Sequence, residues 1–225
     1  MIPWVLLETV PGPGAGEQLR LWQRDTEFSI KVGNHELMNS RVYGSEEALA
    51  ELACGCIAGR LRPRVLIGGL GMGYTLAAAL RVLPAGSEVV VAELIPAVVI
   101  WNRGPIGHLA GHPLSDQRVQ IQEVDVAKIM RQESHTYDAI LLDVDNGPEG
   151  LTRKGNDWLY GLSGLNAAYA ALRPKGVLAV WSAGPDPGFT QRLIKTGFEA
   201  EEKNVRARGA RGGAHHLIWL AKRTN

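Results

Sequence analysis

Between Arg64 and Ala79 the chain reads RVLIGGLGMGYTLAAA, an apolar run that passes through a glycine-rich turn straight into a helix-forming segment. Val65, Leu66 and Ile67 follow one another with no polar residue between them, the pattern of a strand buried on both faces. From Tyr74 onward the Ala- and Leu-rich sequence predicts a helix. Gly69, Gly71 and Gly73 alternate through the joint, and without Cβ atoms the backbone there can turn tightly and approach a ligand closely. The unsatisfied N–H groups of the new helix then face that ligand. Such a stretch reads as the seat of a nucleotide or nucleoside in an α/β domain.

Spacing narrows the ligand. A dinucleotide-binding G-x-G-x-x-G pattern requires a small residue where this chain has Tyr74, counting from Gly69, or Leu76, counting from Gly71. A phosphate-binding P-loop requires Lys and then Ser or Thr after the last glycine, and Gly73 is followed by Tyr74 and Thr75. Both of those routes are excluded. The next strand, Glu88 to Ala92, closes on Glu93, which stands 20 residues after Gly73. Nucleoside-binding α/β folds place a carboxylate there to accept both ribose hydroxyls.

The same strand-then-acid pattern recurs twice. RVQIQEVD ends at Asp125, placed either to cap the helix that follows or to approach an adenine amino group. YDAILLD, from Tyr137 to Asp143, runs into Asp143-Val144-Asp145-Asn146-Gly147-Pro148, a polar loop at the carboxyl end of a buried strand that should adjoin the glycine turn. Open α/β sheets bind their ligands in the crevice outside those ends, so the chemistry is expected here, with Asp143 or Asp145 as the general base.

The flanks are less specific. Residues 1–43 carry PGPGAG at 11–16 and two alternating segments, 19–24 and 28–32, joined at Asp25-Thr26, which predicts a small β-hairpin appendage serving as a lid or a dimer contact. Ser45 has the character of an N-cap for a helix to about Ala58, with Glu46 and Glu47 as solvated acids in its first turn. A helix from about Trp158 to Leu172 should end at the Arg173-Pro174-Lys175-Gly176 turn, followed by strand VLAVWS, a helix over 189–195 and strands near 198–205 and 217–221. The basic, glycine-rich RARGARGGAHH between the last two reads as a mobile solvated hairpin loop. Cys54 and Cys56 lie two apart in the first helix and suggest neither a disulfide nor a metal set. His108 and His112 have helical spacing, but Gly111 and Pro113 oppose a helix there and no third ligand is evident, so no metal is expected. A formal net charge of +1 gives no global attraction to nucleic acid, and no apolar run approaches the length of a membrane span. The expectation is a reduced, cytoplasmic protein.

Taken together, these motifs resemble the spermidine synthase branch of the class I S-adenosylmethionine-dependent methyltransferase superfamily. IGGLGMG at 67–73, AELI at 92–95, RVQIQEVD at 118–125 and YDAILLDVDNGP at 137–148 are similar to that branch's IGGGDGG, VEID, RV-x-GDA and YD-x-I-x-x-D-S-S-D-P. The resemblance implies a Rossmann-like, doubly wound, seven-stranded and mostly parallel sheet over 44–225, behind the β appendage of 1–43. It implies S-adenosylmethionine, or its decarboxylated form, as the ligand. Gly69, Gly71 and Gly73 would border the methionine-like part, Glu93 the ribose, Asp125 the adenine and Asp143 the reacting centre. Two departures bear on the reaction. Gly71 stands where the branch has the Asp that engages an aminopropyl amine, and D-S-S-D-P is replaced by Asp143-Val144-Asp145-Asn146-Gly147. The sequence therefore points to methyl transfer to a small-molecule amine or hydroxyl acceptor. The alternatives are aminopropyl transfer to an amine and a non-catalytic ligand-binding or partner protein of the same fold.

Overall fold

The computed structural model describes residues 2–12, 14, 16–144 and 157–224. Two sheets organise it. The first 39 residues form a four-stranded antiparallel sheet in the order β1 (Val5–Pro11), β2 (Gln18–Arg24), β3 (Glu27–Val32), β4 (His35–Asn39). The expected hairpin is its centre: Arg24 pairs with Glu27 across Asp25, whose φ of +54° makes the tight turn. The flanking strands add to that hairpin. The opening VLLETVP carries little alternation because it lies on the edge with most side chains exposed, so period-two reasoning passes over it.

After α1 (Gly44–Cys56) come β5 (Arg64–Gly68), α2 (Tyr74–Val82), β6 (Glu88–Ala92), α3 (Pro96–Arg103), β7 (Val119–Gln122), α4 (Val126–Gln132) and β8 (Tyr137–Leu142). Beyond the undescribed 145–156 follow α5 (Asp157–Tyr160), α6 (Leu162–Ala171), β9 (Leu172–Ser182), α7 (Pro187–Thr196), β10 (Phe198–Arg206) and β11 (His215–Arg223). The seven strands pair in the order β10-β11-β9-β8-β5-β6-β7, and β11 is antiparallel to both of its neighbours. This is the class I methyltransferase arrangement, an α/β fold with a mostly parallel sheet. Strand order reverses between β5 and β8, which makes the switch point a crevice at their carboxyl ends.

The apolar runs of the central strands explain the layers. Val65, Ile67, Val89, Val91, Ala139 and Leu141 face α1, α2 and α3, whereas Leu66, Val90, Ile140 and Leu142 face α4, α6 and α7. Each strand is apolar on both faces because each face is covered by helices. Leu19, Leu21, Phe28, Ile30 and Val32 of the N-terminal sheet join the first of these layers, so that sheet packs into the core of the α/β unit.

Three expectations are corrected. Tyr43, not Ser45, occupies the N-cap of α1; the Ser45 hydroxyl instead donates to Glu46 Oε2 (2.7 Å). The Arg173-Pro174-Lys175-Gly176 turn is a bulge inside β9. Tyr137 pairs with Leu172 and Ala139 with Val177, and Lys175 absorbs the extra residues at φ +61°. The basic loop between β10 and β11 is docked: the Ala207 carbonyl accepts the Gly44 N–H (2.8 Å), and a side chain at Gly44 would collide with the backbone of Arg208 and Gly209.

Candidate active site

The glycine turn is held by its neighbours. Gly69 N–H donates to the Ala92 carbonyl (2.9 Å), and Asp143 N–H donates to the Gly68 carbonyl (2.9 Å), which locks the ends of β5, β6 and β8 together. Asn102 of α3 donates its amide to the Gly71 carbonyl (2.8 Å). Gly69, Gly71 and Gly73 have φ of +90°, +52° and +83°, a region that residues with a Cβ rarely occupy. A Cβ on Gly69 would run into the Asp143 carbonyl, and one on Gly71 would lie 2.7 Å from Met38 Sδ.

One cavity of about 190 Å³ opens at this crevice. Gly69, Gly71, Glu93, Asp125 and Asp143 all line it, so four different strand ends deliver the predicted residues to one place. Gly73 is not on its wall; it faces the Asn102 amide and Pro113 and serves as the N-cap of α2. Asp145 lies outside the described residues. The N-terminal sheet contributes Leu19, Ile30, Leu37 and Met38, an apolar wall that no motif announced.

Each carboxylate has a distinct setting. Glu93 is 8% exposed; Oε2 accepts the Leu70 N–H (2.9 Å) and Oε1 the Ile95 N–H (2.8 Å). Burial raises its pKa above the ordinary value, against the pull of those backbone donors. The carboxylate borders the cavity at the end of β6, in reach of a ligand that presents two hydroxyls. Asp125 caps α4 by accepting the Ala127 N–H (2.8 Å) and also borders the cavity, so its two expected roles are compatible. Asp143 accepts from the Thr75 hydroxyl (2.5 Å), and burial pushes its pKa up to about 6 despite that bond.

Glu46 is the residue that the sequence reading missed. Expected as a solvated helix-start acid, it lines the cavity with Asp143. Burial, and then the charge of Asp143, push its pKa up to about 7. The signal was topological. A helix that leads into the amino end of β5 and packs along the sheet runs antiparallel to it, so its first turn reaches the ligand-binding end. An acid on the sheet-facing side of that turn, as Glu46 is, then borders the crevice, whereas Glu47 beside it pairs with Arg81. Ser45, fully buried, joins Glu46 to His216 Nδ1 (2.8 Å) on β11. His108 packs edge-on against Phe28, with ring centroids 5.8 Å apart.

No protein-family model matches the sequence, and no curated protein matches it. Solved structures do. A spermidine synthase in complex with the transition-state analogue AdoDATO superposes with a TM-score of 0.76 at 17% identity, covering 97% of this chain and 72% of that one. The spermidine synthase from Thermotoga maritima gives 0.78 at 16% identity with the same coverage. The chain has the spermidine synthase fold. TrmN from Thermus thermophilus matches at 0.57 and 22% identity over 79% of this chain and 48% of its own length. The match to the spermidine synthase fold thus extends over the N-terminal sheet as well as the α/β unit.

Proposed function

We propose that this chain is a transferase that binds S-adenosylmethionine, or a close sulfonium relative, and moves its methyl group to a small amine or hydroxyl acceptor. The observation that carries the reading is the convergence of Gly69, Gly71, Glu93, Asp125 and Asp143 on one cavity at the switch point of the sheet. Glu93 would hold the ribose hydroxyls, Asp125 the adenine edge, and the open backbone at Gly69 and Gly71 the amino-acid end. When bound, such a ligand supplies a carbon whose bond to positive sulfur breaks with its electron pair as the acceptor's lone pair bonds to that carbon. Asp143 takes the acceptor's proton. The apolar wall of Leu37 and Met38 excludes water, and positioning of the acceptor accounts for the rest. Met38 argues for methyl over aminopropyl transfer, because its sulfur stands where a side chain at Gly71 would begin.

A second reading, aminopropyl transfer to an amine, is favoured by the 97% coverage against spermidine synthases. Calorimetric titration with S-adenosylmethionine, its decarboxylated form and methylthioadenosine separates the two, with Glu93→Ala as the control. Preference for the carboxylated ligand supports methyl transfer, and preference for the decarboxylated one supports aminopropyl transfer. Binding of none overturns both. In this reading the protein works in the cytoplasm without nucleic acid. A second copy docks on edge strand β1, where Val5 and Leu6 are exposed, and light scattering of the intact chain checks that dimer.

A further inference from the structure

Four carboxylates line the cavity, those of Glu46, Glu93, Asp125 and Asp143, and alkylation of an acceptor releases a proton into it. Among the described residues Asp143 accepts one side-chain hydrogen bond, from Thr75, which is itself buried. Nothing among the described bonds leads from Asp143 to solvent. Glu46 is different. Its Oε2 accepts the Ser45 hydroxyl (2.7 Å), and Ser45 Oγ lies 2.8 Å from His216 Nδ1. Ser45 is completely buried, whereas the His216 ring is half-buried and reaches the surface. Trp181 of β9, which lines the cavity, fixes the ring edge-on at 4.8 Å.

We propose that Glu46, Ser45 and His216 form a proton exit that carries the proton lost by the acceptor from the cavity to solvent. The inference rests on the transferase reading above. Glu46 is the catalytic residue of the three; Ser45 and His216 act through it. The proton that Asp143 takes from the acceptor passes to the Glu46 carboxylate within the cavity that both groups line. The protonated Glu46 carboxyl then donates to Ser45 Oγ while the Ser45 hydroxyl proton moves to Nδ1 of neutral His216. This leaves a Glu46 carboxylate, an intact serine and an imidazolium that gives a proton to water. The ring returns to its Nε2–H form by exchange with solvent, and no other reactant is needed.

The charged groups acting on Glu46 are Asp143 across the cavity and Glu47 on its own helix, both acidic, and both favour its protonated form. His216 is paired with Val205 on β10 and faces Trp181 on β9 and Ser45 on α1, with no cation paired to it among the described residues. Burial lowers its pKa, so the imidazolium sheds its proton readily.

The test has two arms. In the first, the ring nitrogens of His216 are titrated by nuclear magnetic resonance in the full-length protein and in Glu46→Gln and Ser45→Ala. Each substitution should lower the His216 midpoint by about half a unit to one unit, because each removes the anion or its link to the ring. Midpoints that do not move overturn the relay, whether or not an acceptor is known. In the second, His216→Ala should retain ligand affinity and acceptor KM but slow turnover by about 10-fold or more, with free imidazole restoring the rate. Retained binding with no rescue by imidazole overturns the relay while leaving the transferase reading intact. Failure of the unsubstituted protein to bind any sulfonium nucleoside overturns that reading instead. Should His216→Ala not fold, His216→Gln takes its place, and the expected sign is the same slowing without a change in KM.

Discussion

Two aspartates stand at opposite ends of one strand. Asp138, near the amino end of β8, is 1% exposed and accepts from Arg60, from Arg173 (2.8 Å) and from the Arg64 backbone N–H (2.7 Å). Asp143, just past the carboxyl end, accepts from the Thr75 hydroxyl and shares a cavity with Glu46, Glu93 and Asp125. The residue type and the strand are the same, and the settings are opposite. The first carboxylate is committed to three donors, two guanidinium groups and a backbone N–H, and serves the fold. The second has one side-chain donor among the described residues, at a desolvated site where proton affinity rises and chemistry becomes available. A parallel sheet creates this division because its carboxyl ends open to loops while its amino ends close on preceding turns.

The largest effect that would sharpen this contrast is at the closed end. Asp138→Ala strands Arg60 and Arg173 together, and breaking a buried pair costs about 3–5 kcal/mol. Both guanidinium groups retain access to water, with side chains 30% and 39% exposed, so the lower end is expected. Urea denaturation measures it, and ligand affinity should be unchanged in the folded protein. A loss below about 1 kcal/mol would break the comparison, since Asp138 would then be no more structural than a surface acid.

Asp143→Asn reverses the pattern. Turnover should fall by at least about 100-fold, the usual contribution of a positioned base, while the urea midpoint stays level or rises. A variant that folds, binds ligand and turns over normally would remove Asp143 from the mechanism.

The contrast also explains what was legible in the sequence. The open end announced itself, because a glycine turn and acids at strand ends are short-range patterns with few structural substitutes. Gly69, Gly71, Glu93 and Asp143 could be assigned to the crevice from motif and spacing, while Asp125 stayed open between a helix cap and an adenine contact. Glu46 could not, because an acid in the first turn of a helix is also what the helix dipole favours on any surface. Only the direction of α1 relative to β5 distinguishes the two. The wall formed by Leu37 and Met38 depends on a sheet whose edge strand β1 shows no alternation to read. The basic loop after β10 looked solvated by composition, and what fixes it is a backbone bond to Gly44, 163 residues away from Ala207, which no local pattern encodes.

A smaller effect concerns pH. In the folded protein Asp143 is raised from 3.8 to about 6 and Glu46 from 4.5 to about 7. Between pH 4 and 7 the folded chain therefore holds protons that the unfolded chain has released. The stability these groups contribute is fully present below about pH 4 and is lost as pH rises through 6 and 7. Asp143→Asn and Glu46→Gln remove that loss. Their melting temperatures relative to the unsubstituted protein should climb from pH 4 to pH 8, by about 2–4 °C for each kcal/mol of relieved strain. A constant difference across that range would mean the two carboxyls titrate normally, and the open end would lose its electrostatic distinction.

The finest test removes one partner from each aspartate. Arg173→Ala leaves Asp138 with Arg60 and the Arg64 N–H, and because Arg173 is 39% exposed it should cost under about 1 kcal/mol of stability. Thr75→Val, nearly isosteric, leaves Asp143 with no side-chain donor among the described residues. That hydroxyl lowers the Asp143 pKa, so its removal should raise the pKa, and the acid limb of the turnover profile should move to higher pH by about half a unit to one unit. At pH 8 the rate should be nearly unchanged, since Asp143 is ionised there in either case. The two outcomes together decide whether donor number separates the ends of β8. A shifted acid limb with little loss of stability makes Thr75 the residue that tunes the base. A large loss of stability with an unmoved limb would make Thr75 a packing group, and the Asp143 carboxylate would then owe its proton affinity to burial alone.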